Sequence, residues 1–191
     1  MKEIAKNLDK AIKSPKCRMI MLEILPEIYF NSNAETVKFL TKHGFEGIYI
    51  STHRPYENIS FLLKKQNIDI KKIFFIDIAT GMALGERKAA NPRCIHISKS
   101  ISMDELAGAV YTSLSKLKAK KIFIFIDSLT SMSFYQPLQE FIMKRFFEFL
   151  VMMKEKGPLI VINTSQQHFK AKIIENIEMY ADKVICVKND R

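Results

Sequence analysis

Short apolar runs alternate with segments of helical periodicity along the whole chain, and this alternation limits the fold more than any other feature of the sequence. Seven of the runs have the length and apolar content of buried strands. These runs are residues 18–25, 47–51, 72–77, 94–97, 121–127, 159–163 and 184–187. Helices are predicted before and between them, over residues 1–14, 32–42, 56–66, from Ser102 or Asp104 to 118, 138–155 and 169–180. Strands that alternate with helices build a mostly parallel sheet covered on both faces, so we expect a three-layer α/β/α protein.

Capping and turn residues set the expected ends of these helices. Ser32 and Glu35 form a capping box, which predicts the start of the second helix. Gly44 is expected to end that helix, and Gly157 to close the helix over 138–155. Two loops are expected, over residues 79–93 and 128–137. The first of them lacks periodicity and is long enough to have a function of its own.

The composition suits one globular domain. Hydrophobic residues make up 48% of the 191-residue chain, which is enough for a core at this length. The runs at 18–25, 121–127 and 159–164 are the most continuously apolar, so we expect them at the centre of the sheet. Residues 1–15 are expected to form an N-terminal helix packed on a domain of residues 16–191.

Charge, cysteine content and hydropathy restrict the class of protein. The formal charge of +10 is compatible with a nucleic-acid partner but does not require one. Cys17, Cys94 and Cys186 are far apart and the histidines are scattered, so the sequence indicates neither a zinc site nor a disulfide framework. No apolar run approaches the ~20 residues of a membrane span, and the first residues carry no apolar signal core. We expect a cytoplasmic protein with no membrane partner.

The run Lys121–Asp127, followed by Ser128, is the most informative stretch for function. It predicts a buried strand that brings a carboxylate and two hydroxyls to its carboxyl end. In open α/β sheets, ligands bind outside those ends. The same pattern is typical of a Walker B strand, whose Asp orients Mg²⁺ beside nucleotide phosphates. The partner motif Gly-x4-Gly-Lys-Ser/Thr does not occur anywhere in the chain.

The order of these segments resembles the RecA superfamily of ATPases, on its KaiC-like branch. The matching segments are Gly47–Ile59, Lys72–Asp77, Lys121–Thr130 and Leu159–Gln166. The chain is similar above all to short archaeal KaiC-like proteins that also lack a Walker A motif. The resemblance covers roughly residues 16–188 and implies a degenerate, RecA-like single domain with a three-layer α/β/α architecture.

The departures from that family decide the expected chemistry. Active relatives carry a Gly-rich loop after the first strand, whose backbone N–H groups and Lys hold the phosphates. Residues 26–33 contain neither Gly nor Lys here, and Glu27 would repel a phosphate. After the second strand, relatives place acidic residues that activate water, whereas this chain has Thr52, His53 and Arg54. We therefore expect no catalytic residue and no efficient hydrolysis.

Five residues are ligand-binding candidates at the carboxyl edge of the sheet. They are Asp77, Asp127, Ser128, Thr164 and Arg54. Asp127 either orients a metal ion or caps the following turn together with Ser128 and Thr130, and the missing phosphate-binding Lys favours the cap. No cofactor or metal is expected. If one binds, the candidate is ATP with Mg²⁺, and Asp127 is the metal ligand.

Arg87, Lys88 and Arg93 are the nucleic-acid candidates, because basic side chains in one loop suit phosphate contacts. No aromatic residue is interleaved with them, so a platform for base stacking is absent there. A solvated loop explains the same charges, and we favour it.

Phe141, Phe147 and Leu150 are the interface candidates. The predicted helix 138–155 has one apolar stripe for the core, and these three side chains lie outside that stripe. They need a second contact, from a neighbouring segment or from another subunit.

Three functional hypotheses follow. The first is a non-hydrolysing ATPase homologue with a regulatory or scaffolding role, acting through contacts within a homo-oligomer or with a RecA/KaiC-like paralogue. The second is a nucleotide- or nucleic-acid-binding regulator that uses the crevice at the carboxyl ends of the strands. The third is an enzyme with a repurposed crevice based on His53 or Asp77, for which the sequence offers no convergent set of titratable groups.

Overall fold

The computed structural model describes residues 2–84, 91–97, 102–134, 140–165 and 172–188. The helices in these ranges are α1 (Lys2–Ile12), α2 (Tyr29–Lys42), α3 (Tyr56–Lys65), α4 (Ile78–Leu84), α5 (Met103–Leu114), α6 (Leu129–Phe134), α7 (Glu140–Lys156) and α8 (Lys172–Tyr180). The strands are β1 (Met19–Ile24), β2 (Phe45–Ser51), β3 (Ile73–Asp77), β4 (Cys94–His96), β5 (Lys121–Asp127), β6 (Leu159–Ser165) and β7 (Lys183–Val187). Two single 3₁₀ turns, Pro26–Ile28 and Ile70–Lys72, precede α2 and β3.

The seven strands form one sheet in the order β4-β3-β2-β5-β6-β1-β7, and every pairing between them is parallel. This arrangement confirms the α/β/α fold. Two of the three runs expected at the centre, β5 and β6, are central strands, and β5 is the middle strand of the sheet. The third, β1, lies next to the edge strand β7, and β2 takes the central position on the other side of β5. Parallel strands need both faces covered, which explains why β1 is buried along its whole length.

Two apolar cores lie on the two faces of the sheet. Helices α1, α2 and α3 cover one face, where Tyr49, Phe123 and Phe125 are fully buried. Helices α5, α7 and α8 cover the other face, which buries Ile48, Ile126 and Phe146. Successive side chains of a strand point to opposite faces, so each strand supplies residues to both cores.

Helix α1 packs on α2 and β7, as expected for an N-terminal helix that covers the core. Its residues Ile4 and Leu8 are buried, while Lys6 and Lys10 are exposed. The carbonyl of Asn7 accepts a hydrogen bond from the Lys183 ammonium at 3.2 Å. Nearby, the Asp182 carboxylate accepts hydrogen bonds from the backbone N–H groups of Arg18 and Met19, which fixes the start of β1.

The structure corrects three sequence-based boundaries. The Ser32–Glu35 capping box is wrong, because Pro26 starts a 3₁₀ turn and α2 already begins at Tyr29. Ser32 therefore lies buried within the helix, where its carbonyl accepts a bond from Thr36. Parts of both predicted loops are helical, since α4 follows β3 at once and α6 follows β5 after a single residue. These helices have seven and six residues, too few for a periodic pattern.

The two glycine boundaries are confirmed. Gly44 follows the end of α2 with a φ of +82°, and Gly157 follows the end of α7 with a φ of +109°. Both angles lie in the left-handed region that favours glycine after a helix. Over the described ranges, no helix combines the length and the apolar content that crossing a bilayer demands.

Candidate functional site

The carboxyl ends of β3, β2 and β5 meet at one edge of the sheet. The strand register places Ser51 between Asp77 on one side and Asp127 on the other. All three side chains are buried. The sequence therefore predicted correctly that both aspartates reach this edge, which is the usual place for a ligand in an open α/β sheet.

Asp127 is 1% exposed and is held by two tyrosines. The Tyr29 hydroxyl donates to Oδ1 at 2.6 Å, and the Tyr49 hydroxyl donates to Oδ2. Burial, followed by the charge and the hydrogen bond of Asp127, raises the pKa of both tyrosines well above its ordinary value. Both hydroxyls therefore stay protonated at neutral pH, and each carboxylate oxygen has a donor.

The expectation that the Asp127 carboxylate caps the following turn is wrong. Ser128 caps it, because its Oγ accepts a hydrogen bond from the Ser131 N–H at 3.1 Å. Thr130 Oγ1 instead joins α6 to β6, through the Thr164 hydroxyl at 2.9 Å and the Ser165 N–H at 2.9 Å. Ser128 and Thr164 are thus both buried structural residues at this edge.

Asp77 fills the capping role that was predicted for Asp127. Its Oδ1 accepts from the Thr80 N–H at 2.8 Å, and its Oδ2 accepts from the Thr80 hydroxyl at 2.6 Å. Oδ2 also accepts from the backbone N–H of Tyr56, at 2.8 Å. Asp77 therefore fixes the first turns of both α3 and α4.

Unpaired polar atoms surround Asp127. Nδ1 of His53 lies 3.8 Å from Asp127 Oδ1, which is too far for a hydrogen bond, and finds no partner among the described residues. Asn163 donates from Nδ2 to Oδ1 of Asn33. The remaining amide atoms, Nδ2 of Asn33 and Oδ1 of Asn163, are buried without a partner in the described ranges. The sequence raised the possibility that Tyr29 and Phe30 fill the pocket after the first strand, and Tyr29 does reach Asp127. Sequence reasoning missed Tyr49 and Asn33, because nothing local in the sequence signals contacts with a distant element.

Arg54 lies beside this cluster and contacts an aromatic ring. Its guanidinium carbon is 5.5 Å from the centre of the Phe30 ring, within the range of a cation–π contact. Its carbonyl accepts a hydrogen bond from the Ser51 hydroxyl at 2.6 Å. The structure thus places Arg54 at the expected carboxyl edge of the sheet, in contact with Phe30, which follows Tyr29 in sequence.

A second polar cluster lies at the β3–β4 side of the same edge. It contains Asp77, Cys94 and His96, whose potential ligand atoms all lie within 4.8 Å of one another. Burial raises the pKa of the Cys94 thiol to about 12, with further contributions from the charges of Asp77 and Glu57. The thiol is therefore protonated at neutral pH when no cation is nearby.

The predicted nucleic-acid residues are only partly described. Arg87 and Lys88 lie outside the described residues. The Arg93 guanidinium is 4.6 Å from the centre of the Phe74 ring, so its planar group is used in a contact within the chain.

The two predicted interface residues whose side chains are described have contacts within the chain. Leu150 is 1% exposed and belongs to the core beneath α7, so its assignment to a subunit interface is wrong. Phe147 is partly buried and packs edge-on against Tyr180 of α8, with ring centres 5.4 Å apart. The side chain of Phe141 lies outside the described residues. Helix α8 therefore supplies the second contact that the sequence left open.

A separate cavity of about 210 Å³ lies at the opposite, amino ends of the strands. Arg18, Lys120 and Lys121 are among its lining residues. These groups precede or begin β1 and β5, so they are a full strand length away from Asp127. This cavity does not belong to the candidate site.

Comparisons with known proteins support the fold. No protein-family model matches the chain, and no curated protein does. One similar solved structure is that of uncharacterized protein PH0321 from Pyrococcus horikoshii in complex with an unknown peptide. The two proteins superpose with a TM-score of 0.65 at 14% sequence identity. The alignment covers 96% of this chain and 82% of PH0321. At this identity the likeness concerns the fold alone.

Proposed function

We propose that this protein is a non-hydrolysing homologue of the KaiC-like ATPases that acts through contacts with other proteins. The observation that carries the proposal is that both oxygens of the Asp127 carboxylate accept hydrogen bonds, from the hydroxyls of Tyr29 and Tyr49. In a Walker B strand, the equivalent carboxylate must be free to orient Mg²⁺ and its water.

The tyrosines make that use of Asp127 unfavourable. A metal-bound state would have to break buried hydrogen bonds to a charged group, each of which contributes roughly 1.5–3 kcal/mol. Tyr29 also belongs to the segment after β1, for which the family resemblance implies the phosphate loop. A tyrosine hydroxyl therefore contacts the carboxylate where, in an active relative, the terminal phosphate and its metal ion would lie.

Among the described residues, the groups needed for hydrolysis are also missing around the site. The segment Pro26–Asn33 offers no Gly or Lys for a phosphate. The His53 imidazole lies beside Asp127, with its Nδ1 3.8 Å from the carboxylate. An imidazole next to a carboxylate can hold a proton, but it does not position a phosphate for attack.

The protein-contact half of the proposal is supported by analogy with proteins of the same fold. RecA-like domains commonly associate through their sides, so the proposed partners are a second copy of the chain or a KaiC-like paralogue. PH0321, which has a similar fold, was crystallised with an unknown peptide. A peptide segment of a partner protein is thus a ligand class worth testing on this chain.

Measuring phosphate release from Mg-ATP tests the claim that the protein does not hydrolyse ATP. We expect the wild-type protein and the Asp127→Asn variant, purified in parallel, to give the same background rate. Turnover in the wild type that disappears in the variant would contradict the proposal.

Light scattering tests the claim that the protein acts through contacts with other proteins. The protein is measured alone and after mixing with a Walker A-containing paralogue. We expect a mass above the 22.1 kDa of one chain in at least one of the two samples. A monomer in both samples, together with DNA binding that persists at physiological salt, would favour the nucleic-acid regulator instead.

A further inference from the structure

Three residues with metal-ligating side chains come together where β3 and β4 pair. The parallel register sets Asp77 opposite His96 and Phe75 opposite Cys94. Residues two apart in a strand face the same side of the sheet, so Cys94 and His96 project together, towards the side that Asp77 also faces. The pairing of β3 with β4 thus brings Asp77 together with Cys94 and His96, which are distant from it in sequence.

The imidazole of His96 is the side chain in this cluster that points to a bound ligand. Its side chain is 7% exposed, and Nδ1 finds no hydrogen-bond partner within the described part of the chain. The nearest carboxylate oxygen, Asp77 Oδ2, is 3.9 Å away, beyond hydrogen-bond distance. A buried polar atom without a partner destabilises a fold, because it has lost its hydrogen bond to water and gained none in return. Something that binds this nitrogen would remove that cost.

We propose that Asp77, Cys94 and His96 bind a divalent transition-metal ion, and that the ion is Zn²⁺. Thiolate and imidazole donors select zinc over Mg²⁺ or Ca²⁺, which prefer oxygen ligands. Zinc–ligand bonds of about 2.0–2.3 Å in a tetrahedron separate the donor atoms by roughly 3.3–3.8 Å. The His96–Asp77 separation of 3.9 Å is close to that range, and the cluster as a whole, within 4.8 Å, must contract by about 1 Å.

The surroundings of Asp77 suit a metal ligand. Thr80 and the Tyr56 N–H donate to its carboxylate and fix its orientation, as outer partners of metal ligands commonly do. Two of these bonds end on Oδ2, whereas Oδ1 accepts only the Thr80 N–H among the described residues, so Oδ1 keeps a second lone pair for the ion and no hydrogen bond has to break. When Cys94 coordinates the ion, the metal replaces the thiol proton, which passes to solvent. Three protein ligands leave a fourth position for water. The inference does not depend on the proposed function, because it involves neither Asp127 nor its tyrosines.

Cobalt substitution is the most direct test. The full-length protein, purified without a polyhistidine tag and stripped with a chelator, is titrated with Co²⁺ and followed by absorption. We expect one equivalent to bind, with the d–d bands of low-symmetry Co²⁺ and a thiolate-to-cobalt charge-transfer band. One equivalent of Zn²⁺ should abolish these bands and raise the Tm.

Matched cysteine variants locate the ion. Cys94→Ser should remove the charge-transfer band and weaken Zn²⁺ binding about tenfold or more, whereas Cys17→Ser and Cys186→Ser should leave both unchanged. His96→Gln should weaken binding similarly, and circular dichroism confirms that each variant is folded. Asp77 is left intact because it also caps two helices. Wild-type protein that binds no stoichiometric Co²⁺ or Zn²⁺, or a band that survives in Cys94→Ser, would overturn the proposal.

Discussion

Asp77 and Asp127 are the last residues of β3 and β5, the two strands that flank β2. Their side chains differ in whether their hydrogen-bond partners are near or distant in sequence. Asp77 is bound mainly by Thr80, three residues later, and this local contact resembles an ordinary helix cap. Asp127 is bound by Tyr29 and Tyr49, which are 98 and 78 residues away in sequence. Sequence could in principle predict the first contact, but the second depends on how distant strands and helices pack. The cap was therefore assigned to the wrong aspartate.

The tyrosine hydroxyls are expected to stabilise the fold through Asp127. Tyr49→Phe removes a donor to a fully buried carboxylate and should lower the free energy of unfolding by about 1.5–3 kcal/mol. Tyr29→Phe should also lower it, because the Tyr29 hydroxyl donates to the other oxygen of the same buried carboxylate. Urea denaturation at pH 7 measures both changes.

Tyr111→Phe is the matched control for these variants. Tyr111 is 37% exposed, so loss of its hydroxyl should change stability by less than about 0.5 kcal/mol. An effect of Tyr49→Phe no larger than that of the control would mean that Asp127 does not depend on the tyrosines.

At the scale of elements, strands were easier to predict than short helices. A strand in the middle of a parallel sheet is apolar on both faces, so β1, β5 and β6 stand out as continuous apolar runs. Helices α4 and α6 span only about two turns, which gives no periodic pattern to detect. The zinc candidate was missed for a related reason. Cys94 and His96 match no metal-binding spacing, and Asp77 joins them only through strand pairing.

The pairing of β2 with β5 has a specific requirement at Gly47. A Cβ placed on Gly47 would come within 2.5–2.6 Å of the Phe123 ring, which is itself fully buried. The close atoms include the first carbon of the ring, so Phe123 cannot avoid the contact by a small rotation. Gly47→Ala should therefore lower the free energy of unfolding by about 1–3 kcal/mol, measured by chemical denaturation.

Gly108→Ala provides the opposite control. Gly108 lies within α5, and a Cβ there would meet no atom within 4 Å. This change should stabilise the protein by about 0.4–1 kcal/mol, because alanine loses less backbone entropy in a helix. Similar effects at both positions would show that the Phe123 contact is not what requires glycine in β2.

At the scale of the whole molecule, the alternation of strands and helices was sufficient to predict the α/β/α architecture. The alternation also placed both aspartates correctly at the carboxyl edge of the sheet. It could not predict what fills that edge, because the contents depend on side chains from α2 and β2 that meet only after folding. The second contact of α7, made by α8 through Tyr180, depends on the fold in the same way.

Calorimetric titration of the protein with Mg-ATP tests the central claim, that the tyrosines occupy the carboxylate a nucleotide-bound metal would need. We predict no saturable heat for the wild-type protein, with ATP alone and with Mg²⁺ alone as controls. Stoichiometric binding that requires Mg²⁺ and disappears in Asp127→Asn would contradict the claim.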